Sequence, residues 1–250
     1  MVHPVPDPAA GLTFVLVPGP PVRASSWAPT ASILRARGYA VQVPDVLAQT
    51  CTPPPWRAWS GLLLEQIVAG PQVVLVGHSS ATALVADLAT RVPAAGLIFV
   101  DGDIPPDEGA AAPVRAALKD VIAGLADAEG RLPVWSRWHT GDPERARRVG
   151  IDQLAADPDR LAAFEAGLPR LTVAWFEDAI DLKSWRHVPA GYVQTSPIYD
   201  HAFAAARARG WPALNLRGTH LHPALNPKET SDAIVSIARR LPTSRTGGEA

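Results

Sequence analysis

The sequence predicts an α/β fold: a mostly parallel sheet with helices on both faces, plus an inserted helical lid. Three observations predict it. Apolar runs of strand length alternate with helix-length segments, and that alternation favours a parallel sheet covered on both sides. One run, Val73-Val74-Leu75-Val76, passes through Gly77-His78-Ser79-Ser80-Ala81 straight into an apolar-periodic segment, a buried strand turning sharply into a helix. Between about Asp103 and Val188 the alternation stops, and helix-like pieces follow one another without a strand-like run.

Taken in order, the strand-like runs are 12–17, 40–43, 72–76, 97–101, 191–195 and 213–216. The segment 27–37 reads as a helix closed by Gly38 as the C′ residue. The segment 56–69 reads as a helix stopped by Gly70-Pro71, and 79–91 as one ending before Pro93. Within the break the helix-like pieces are 113–128, 143–155, 158–166 and 171–185. An insertion of that length on the strand-end side of a sheet predicts a lid. The domain reading is therefore a core of 1–102 and 189–241, a helical lid of 103–188 and a loose tail of 242–250. Trp135, Trp138, Trp175 and Trp185 would pack the lid onto the core, some of them also lining an apolar pocket.

A chain of 250 residues can bury a core that needs no disulfide or metal staple. The net charge of −1, with 19% charged residues, offers no electrostatic case for nucleic acid or an anionic membrane surface. The lone Cys51 has no basic neighbour in sequence and reads as an ordinary thiol. The start, Met1 to Pro6, has neither a basic region nor a long apolar run, so neither a signal peptide nor a transmembrane span is expected, and a cytoplasmic location is.

Ser79 carries the chemistry in this reading. A strand-to-helix turn with small neighbours at Gly77 and Ala81 lifts the hydroxyl clear of the sheet and aims a helix N-terminus at it. That is a nucleophile elbow of the form G-x-S-x-A, and it points to an enzyme using a covalent serine. The bland alternative is an ordinary buried serine in a βα turn. A serine hydroxyl is a weak nucleophile and needs a base, which in turn needs a group that fixes its tautomer. His220 lies after the last strand-like run, on the edge where Ser79 projects, and His222 is its rival. A His220/His222 metal pair lacks a third ligand at a telling spacing, so neither metal nor other cofactor is expected.

At these residues the chain resembles the α/β-hydrolase superfamily, over roughly 12–241. Leu12-Thr13-Phe14-Val15-Leu16-Val17-Pro18-Gly19 resembles the strand ending in His-Gly before the oxyanion loop, with Pro18 in place of the His. Trp27 opens the next helix, and Val41-Gln42-Val43-Pro44-Asp45 resembles the following strand and its Pro-Asp end. Leu216-Arg217-Gly218-Thr219-His220, with Asn226-Pro227-Lys228-Glu229 and a helix over 230–240, resembles the catalytic-His loop and last helix. The resemblance implies His220 as base. In most of the superfamily the acid follows the strand after the lid, but here that strand runs out as Tyr192-Val193-Gln194-Thr195-Ser196-Pro197, without a carboxylate. Some members, including a group of haloalkane dehalogenases, carry the acid at the strand end before the lid, where Asp101 stands. Asp101 is the first choice, with Asp103 and Asp200 as alternatives; a carboxylate that merely accepts backbone N–H bonds in the turn remains the structural reading of Asp101. Dehalogenase and epoxide hydrolase activities are excluded, because they use an Asp nucleophile where this chain has Ser79.

Acyl transfer also needs donors for the developing oxyanion. The Ser80 N–H is expected to be one. The resemblance puts the second at Pro20, which has no N–H. Val22, or a hydroxyl of Ser25 or Ser26, then substitutes, or the reaction bypasses a standard tetrahedral oxyanion. The substrate pocket is expected to involve His78, Pro20, Trp27, Trp135, Trp138 and Trp175. The leading functional reading is a lidded serine hydrolase for a small to medium apolar ester, thioester or lactone. The second is a cofactor-free lyase, cyclase or C–C bond hydrolase using Ser79 and His220 as acid–base groups. The third is a non-catalytic small-molecule binder. Each takes a small molecule as its partner, with the oligomeric state left open.

Overall fold

A computed structural model describes residues 9, 11–48, 52–70 and 72–242. The expectations for the first residues, Cys51, Pro71 and the tail from 243 onward lie outside the described residues. Six parallel strands form one sheet: β1 (Thr13–Val17), β2 (Ala40–Gln42), β3 (Val73–His78), β4 (Ala94–Val100), β7 (Ala190–Gln194) and β8 (Ala213–Asn215), in the order β2-β1-β3-β4-β7-β8. Two further strands, β5 (Gly109–Ala111) and β6 (Ile180–Leu182), pair antiparallel in the connection between β4 and β7.

The central strands are apolar over Phe14–Val17, Val73–Val76 and Leu97–Val100 because both faces of the sheet are buried there. Phe14, Leu16, Val74, Val76, Ile98 and Val193 point to one face, against Trp27, Leu34, Ile234 and Ile237. These come from the start of α1 (Ala28–Ala36) and from α10 (Pro227–Arg240). Val15, Val17, Leu75, Leu97, Phe99 and Tyr192 point to the other face. There they meet Trp56 of α2 (Trp56–Leu64), Leu84 of α3 (Ala81–Leu88) and Trp185. Each strand thus alternates between two cores, the period of two that a pleated strand imposes. The β3 register, Val17 opposite Gly77 and His78 opposite Val100, brings the three central strand ends level. That places the residues following β1, β3 and β4 side by side at the carboxyl edge.

All six expected strands are present within one to three residues at each end. The connection 103–188 departs from expectation. It contains α4 (Ala116–Ala123), α5 (Pro143–Val149), α6 (Ile151–Ala155) and α7 (Pro158–Glu165), but also the β5–β6 pair. The expected helix 171–185 is instead a 3₁₀ turn at Val173–Glu177 followed by β6. Ile180 and Leu182 are buried while Asp181 is exposed, the alternation of a half-buried strand. The expected helix 143–155 breaks at Gly150, whose φ of +96° is left-handed and whose Cβ would meet Thr219 Oγ1 at 2.6 Å. The expected helix 56–69 ends at Leu64; the Gln66 and Ile67 N–H groups then bond the Leu63 and Leu64 carbonyls in tighter turns, and the Val68 N–H and C=O pair with the Gln42 side-chain amide. Helix α8 (Asp200–Ala208) follows β7. Two short elements complete the path, α9 (His222–Leu225) and a 3₁₀ turn at Pro197–Tyr199. Among the described residues, no helix is long and apolar enough to cross a membrane.

Candidate active site

Ser79 has φ +58°, a conformation that costs a non-glycine residue about 1–3 kcal/mol and persists only where its surroundings hold it. They do so here from both sides. Its N–H donates to Val100 O at 3.0 Å, and its carbonyl accepts from Thr82 N at 3.2 Å and Thr82 Oγ1 at 3.1 Å. A Cβ on Gly77 would come 2.6 Å from Ala81 O, and one on Gly102 would run into the Ser79 carbonyl, so both neighbours must be glycine. Among the described residues only three non-glycines have positive φ: Ser79, Asp101 and Arg217. All three follow strands at the same edge of the sheet.

Asp101 is fully buried. Its Oδ1 accepts the Thr195 and Ser196 N–H groups, each at 2.8 Å, and its Oδ2 accepts Ser196 Oγ–H at 2.6 Å and His220 Nδ1–H at 2.7 Å. Burial alone would raise this carboxyl. The hydrogen bond and charge of His220 and the two Ser196 hydrogen bonds outweigh it and hold Asp101 below the ordinary carboxylate value. With Nδ1 committed as a donor, neutral His220 keeps its lone pair on Nε2. The ring is fixed from several directions. Its backbone N–H donates to Arg148 O at 3.1 Å, and the next N–H, of Leu221, to Val149 O at 2.9 Å. His78 Nε2–H donates to His220 O at 2.9 Å, with the two rings 4.5 Å apart. Burial, then the neighbouring His220, push the His78 pKa down to about 3, so His78 is a neutral prop. On another side Tyr199 stacks on His220 at 5.6 Å and 29°. Burial, followed by the charges of Asp103 and Asp101, raises the Tyr199 phenol, which stays protonated.

The alternative groups are engaged elsewhere. Asp103 meets His201 Nε2 at 2.6 Å and Arg115 Nη1 at 3.4 Å, and Asp200 accepts from Gln194 Nε2. His222 pairs with Glu229 at 3.0 Å and Asn226 at 3.2 Å.

The bank of Ser79 formed by the loop after β1 differs from expectation. Pro20 and Pro21 bring no N–H, and the Val22 N–H, expected as a donor, already closes a turn onto Gly19 O at 2.9 Å. Ser26 Oγ–H donates to Arg23 O at 2.8 Å, and Ser25 is exposed away from the cavity. Ser80 sits at the N-cap of α3, ahead of its first hydrogen-bonded turn, where amide N–H groups have no helical partner.

A cavity of about 730 Å³ opens above Ser79. Its wall is largely apolar and includes Ile104, Ile122, Trp135, Trp138 and Phe176, with Arg115, Arg145 and Arg148 also lining it. Of the residues expected there, Trp135 and Trp138 line it, and four do not. Trp175 packs edge-on against Trp56 and Trp59 with its indole N–H on Pro54 O at 2.8 Å. Trp27 is fully buried beside His78, which lies behind His220. Pro21 faces the cavity where Pro20 was expected. Sequence reading missed Ser196, Tyr199 and His139. Ser196 and Tyr199 occupy the strand end where the missing carboxylate was sought, so the replacement was visible as Ser196-Pro197-Ile198-Tyr199. His139 lines the cavity beside Trp135, with both ring nitrogens buried and unpaired. Burial, then Arg145, lower its pKa to about 4.

A model of the alpha/beta hydrolase family matches residues 14–233. No curated protein matches the chain. Solved structures do. One is an extracellular alpha/beta-hydrolase from a Paenibacillus species, described as sharing structural and functional homology with tobacco salicylic acid binding protein 2; it is 20% identical with a TM-score of 0.71, over 90% of this chain and 98% of that one. Tomato methylketone synthase I complexed with 2-tridecanone is 16% identical with a TM-score of 0.68, over 92% and 99%. Polyneuridine aldehyde esterase is 14% identical with a TM-score of 0.66, over 91% and 99%. At these identities the likeness is one of fold.

Proposed function

The chain belongs to the alpha/beta hydrolase family, and from that premise we propose that it is a serine hydrolase of a small to medium apolar ester, thioester or lactone. The observation that carries this reading is the strained Ser79 lining, with His220, a largely apolar cavity, with His220 Nδ1 locked on buried Asp101 at 2.7 Å. In this mechanism Ser79 Oγ attacks the carbonyl carbon and His220 Nε2 takes its proton. Asp101 fixes the tautomer and stabilises the imidazolium. The leaving group departs with the proton from His220, and water then deacylates Ser79 by the same route. The segment 103–188 acts as a helical lid whose Trp135 and Trp138 favour an apolar acyl or alcohol portion.

Reaction with a fluorophosphonate, read by intact-protein mass, tests this. A single adduct on wild type, absent from Ser79→Ala, is expected. No adduct on folded wild type contradicts it. A second reading, a cofactor-free lyase with Ser79 and His220 as acid–base groups, draws on the donor-poor loop of Pro20, Pro21 and Val22. It predicts turnover without an acyl-enzyme.

A further inference from the structure

One cation in the cavity wall stands without a counter-charge. Arg115, Arg145 and Arg148 line the cavity, and so do Asp103, Asp142 and Glu144. Arg115 pairs with Asp103 at 3.4 Å, and Arg148 pairs with Glu144. Asp142 is engaged differently: as the N-cap of α5, its Oδ1 accepts the backbone N–H of Arg145 at 2.9 Å. The Arg145 guanidinium pairs with no carboxylate among the described residues, although the residue is half-buried.

Its neighbours place that charge on the His220 side of the cavity. His139 packs edge-on to Trp135 with ring centroids 5.2 Å apart, and Trp135 lies 6.1 Å from the His220 ring. After burial, the groups that lower the His139 pKa are Arg145 and then His220, so the guanidinium itself is within electrostatic reach of His139. His139 is neutral and its ring nitrogens are buried, so it offers Arg145 no partner. A guanidinium cannot shed its proton as a buried lysine can. Half-withdrawing it from water in a largely apolar cavity without a counter-ion is unfavourable. A ligand carboxylate removes that cost, because its two oxygens match the planar N–H fork.

We propose that Arg145 anchors a carboxylate carried by the substrate, so that the preferred ester, thioester or lactone is amphiphilic, apolar along Trp135 and Trp138 and anionic at one end. This rests on the reading of Ser79 as an acyl-transfer nucleophile. Arg145 takes no part in bond making: the carboxylate and the guanidinium form an ion pair, and no proton passes between them. Arg115 and Arg148 do not compete for this anion, because each already holds a carboxylate. The cavity of about 730 Å³ has room for a chain of several carbons between the reacting carbonyl and the anchor. An interaction remote from the reacting carbon acts equally in the ground state and the transition state, so it shows in KM rather than in kcat.

Two pairs of esters test this. In mono-p-nitrophenyl suberate a carboxylate replaces the terminal methyl of p-nitrophenyl octanoate, which puts the charge on the acyl side. In p-carboxyphenyl butanoate it replaces the amide of p-carbamoylphenyl butanoate, which puts the charge on the leaving group. Wild type is expected to favour the anion of at least one pair by roughly 10–100-fold in kcat/KM, with the gain lying in KM. Arg145→Gln is expected to bring that ratio close to one, and Arg145→Lys to keep part of it. High salt should lower the ratio in wild type. Each ratio compares two esters on the same protein, so a general loss of folded enzyme does not imitate the effect. Labelling supplies a readout free of turnover: octanoate is expected to slow fluorophosphonate labelling of Ser79 roughly tenfold more effectively than octan-1-ol, an advantage lost in Arg145→Gln. Wild type that forms the adduct but shows no preference for the anions, or a preference that survives in Arg145→Gln, overturns this assignment alone. Wild type that forms no adduct overturns the acyl-transfer reading and this assignment with it.

Discussion

The two banks of Ser79 are built to different standards. On the side of β4 and β7, Asp101 accepts four hydrogen bonds, and His220 is held by Asp101, by a backbone strap to α5 and by the rings of His78 and Tyr199. On the side of β1, two prolines and an engaged Val22 N–H leave the loop poor in donors. Under the proposed mechanism, the contrast teaches that the groups for proton relay and those for oxyanion stabilisation are set by different parts of the fold. The first rest on strand-end backbone geometry, the second on the donors that the adjoining loops present.

Removing the acid tests the strong bank hardest. Asp101→Asn is expected to lower ester turnover by about 10⁴-fold, as a mis-set histidine tautomer does in other serine enzymes. Steady-state kinetics on a folded variant, with Tm as control, check this; a loss under tenfold breaks the comparison.

Acidification probes the two buried imidazoles of the site, His78 behind His220 and His139 in the cavity wall. Between the ordinary imidazole value of 6.5 and their folded values of about 3 and 4, His78 and His139 are neutral in the folded protein but protonated in the unfolded chain. The unfolded chain then binds more protons, so stability falls as pH drops through that window, by up to about 1.4 kcal/mol per pH unit for each imidazole. Asp101, held below its ordinary value of 3.8, contributes stability above that value that is lost as pH falls through its folded pKa. All three act in one direction. Thermal unfolding from pH 7 to 4.5 should show a falling Tm, with a shallower slope in His139→Phe; a flat wild-type profile contradicts neutral burial.

Tyr199→Phe keeps the ring on His220 and removes only the phenol hydroxyl at the cavity wall, a change expected to cost roughly tenfold in kcat. An unchanged kcat would reduce Tyr199 to packing. Asp103→Asn and Asp200→Asn should alter turnover least, by about twofold or less, since each carboxylate is engaged away from His220. A large loss from either would move the acid away from Asp101.

Most of the sheet was legible because strands buried on two faces must be apolar at every position, as in Phe14 to Val17 and Val73 to Val76. The elbow was legible because Gly77 and Ser79 sit between an apolar run and a helical period. What was not legible depends on contacts between distant segments. β6 exists because Ile180 to Leu182 pair with the weak strand former Gly109-Ala110-Ala111 some 70 residues earlier. Past the early end of α2, the Val68 N–H and C=O are taken up by Gln42, a residue 26 positions away. Asp101 could be ranked first from its strand end, but the two amides and the hydroxyl that surround it come from Thr195 and Ser196, and only the folded chain brings them together. Trp175 was drawn toward the pocket by its type alone; Trp56 and Trp59 claim it.

The most direct test of the central claim is intact-protein mass under turnover with a short p-nitrophenyl ester, quenched before steady state. The account predicts an acyl increment on wild type, mapped to Ser79, that is absent from Ser79→Ala together with the activity. Turnover without any acyl increment, or a Ser79→Ala variant that still turns over at the wild-type rate, would contradict it.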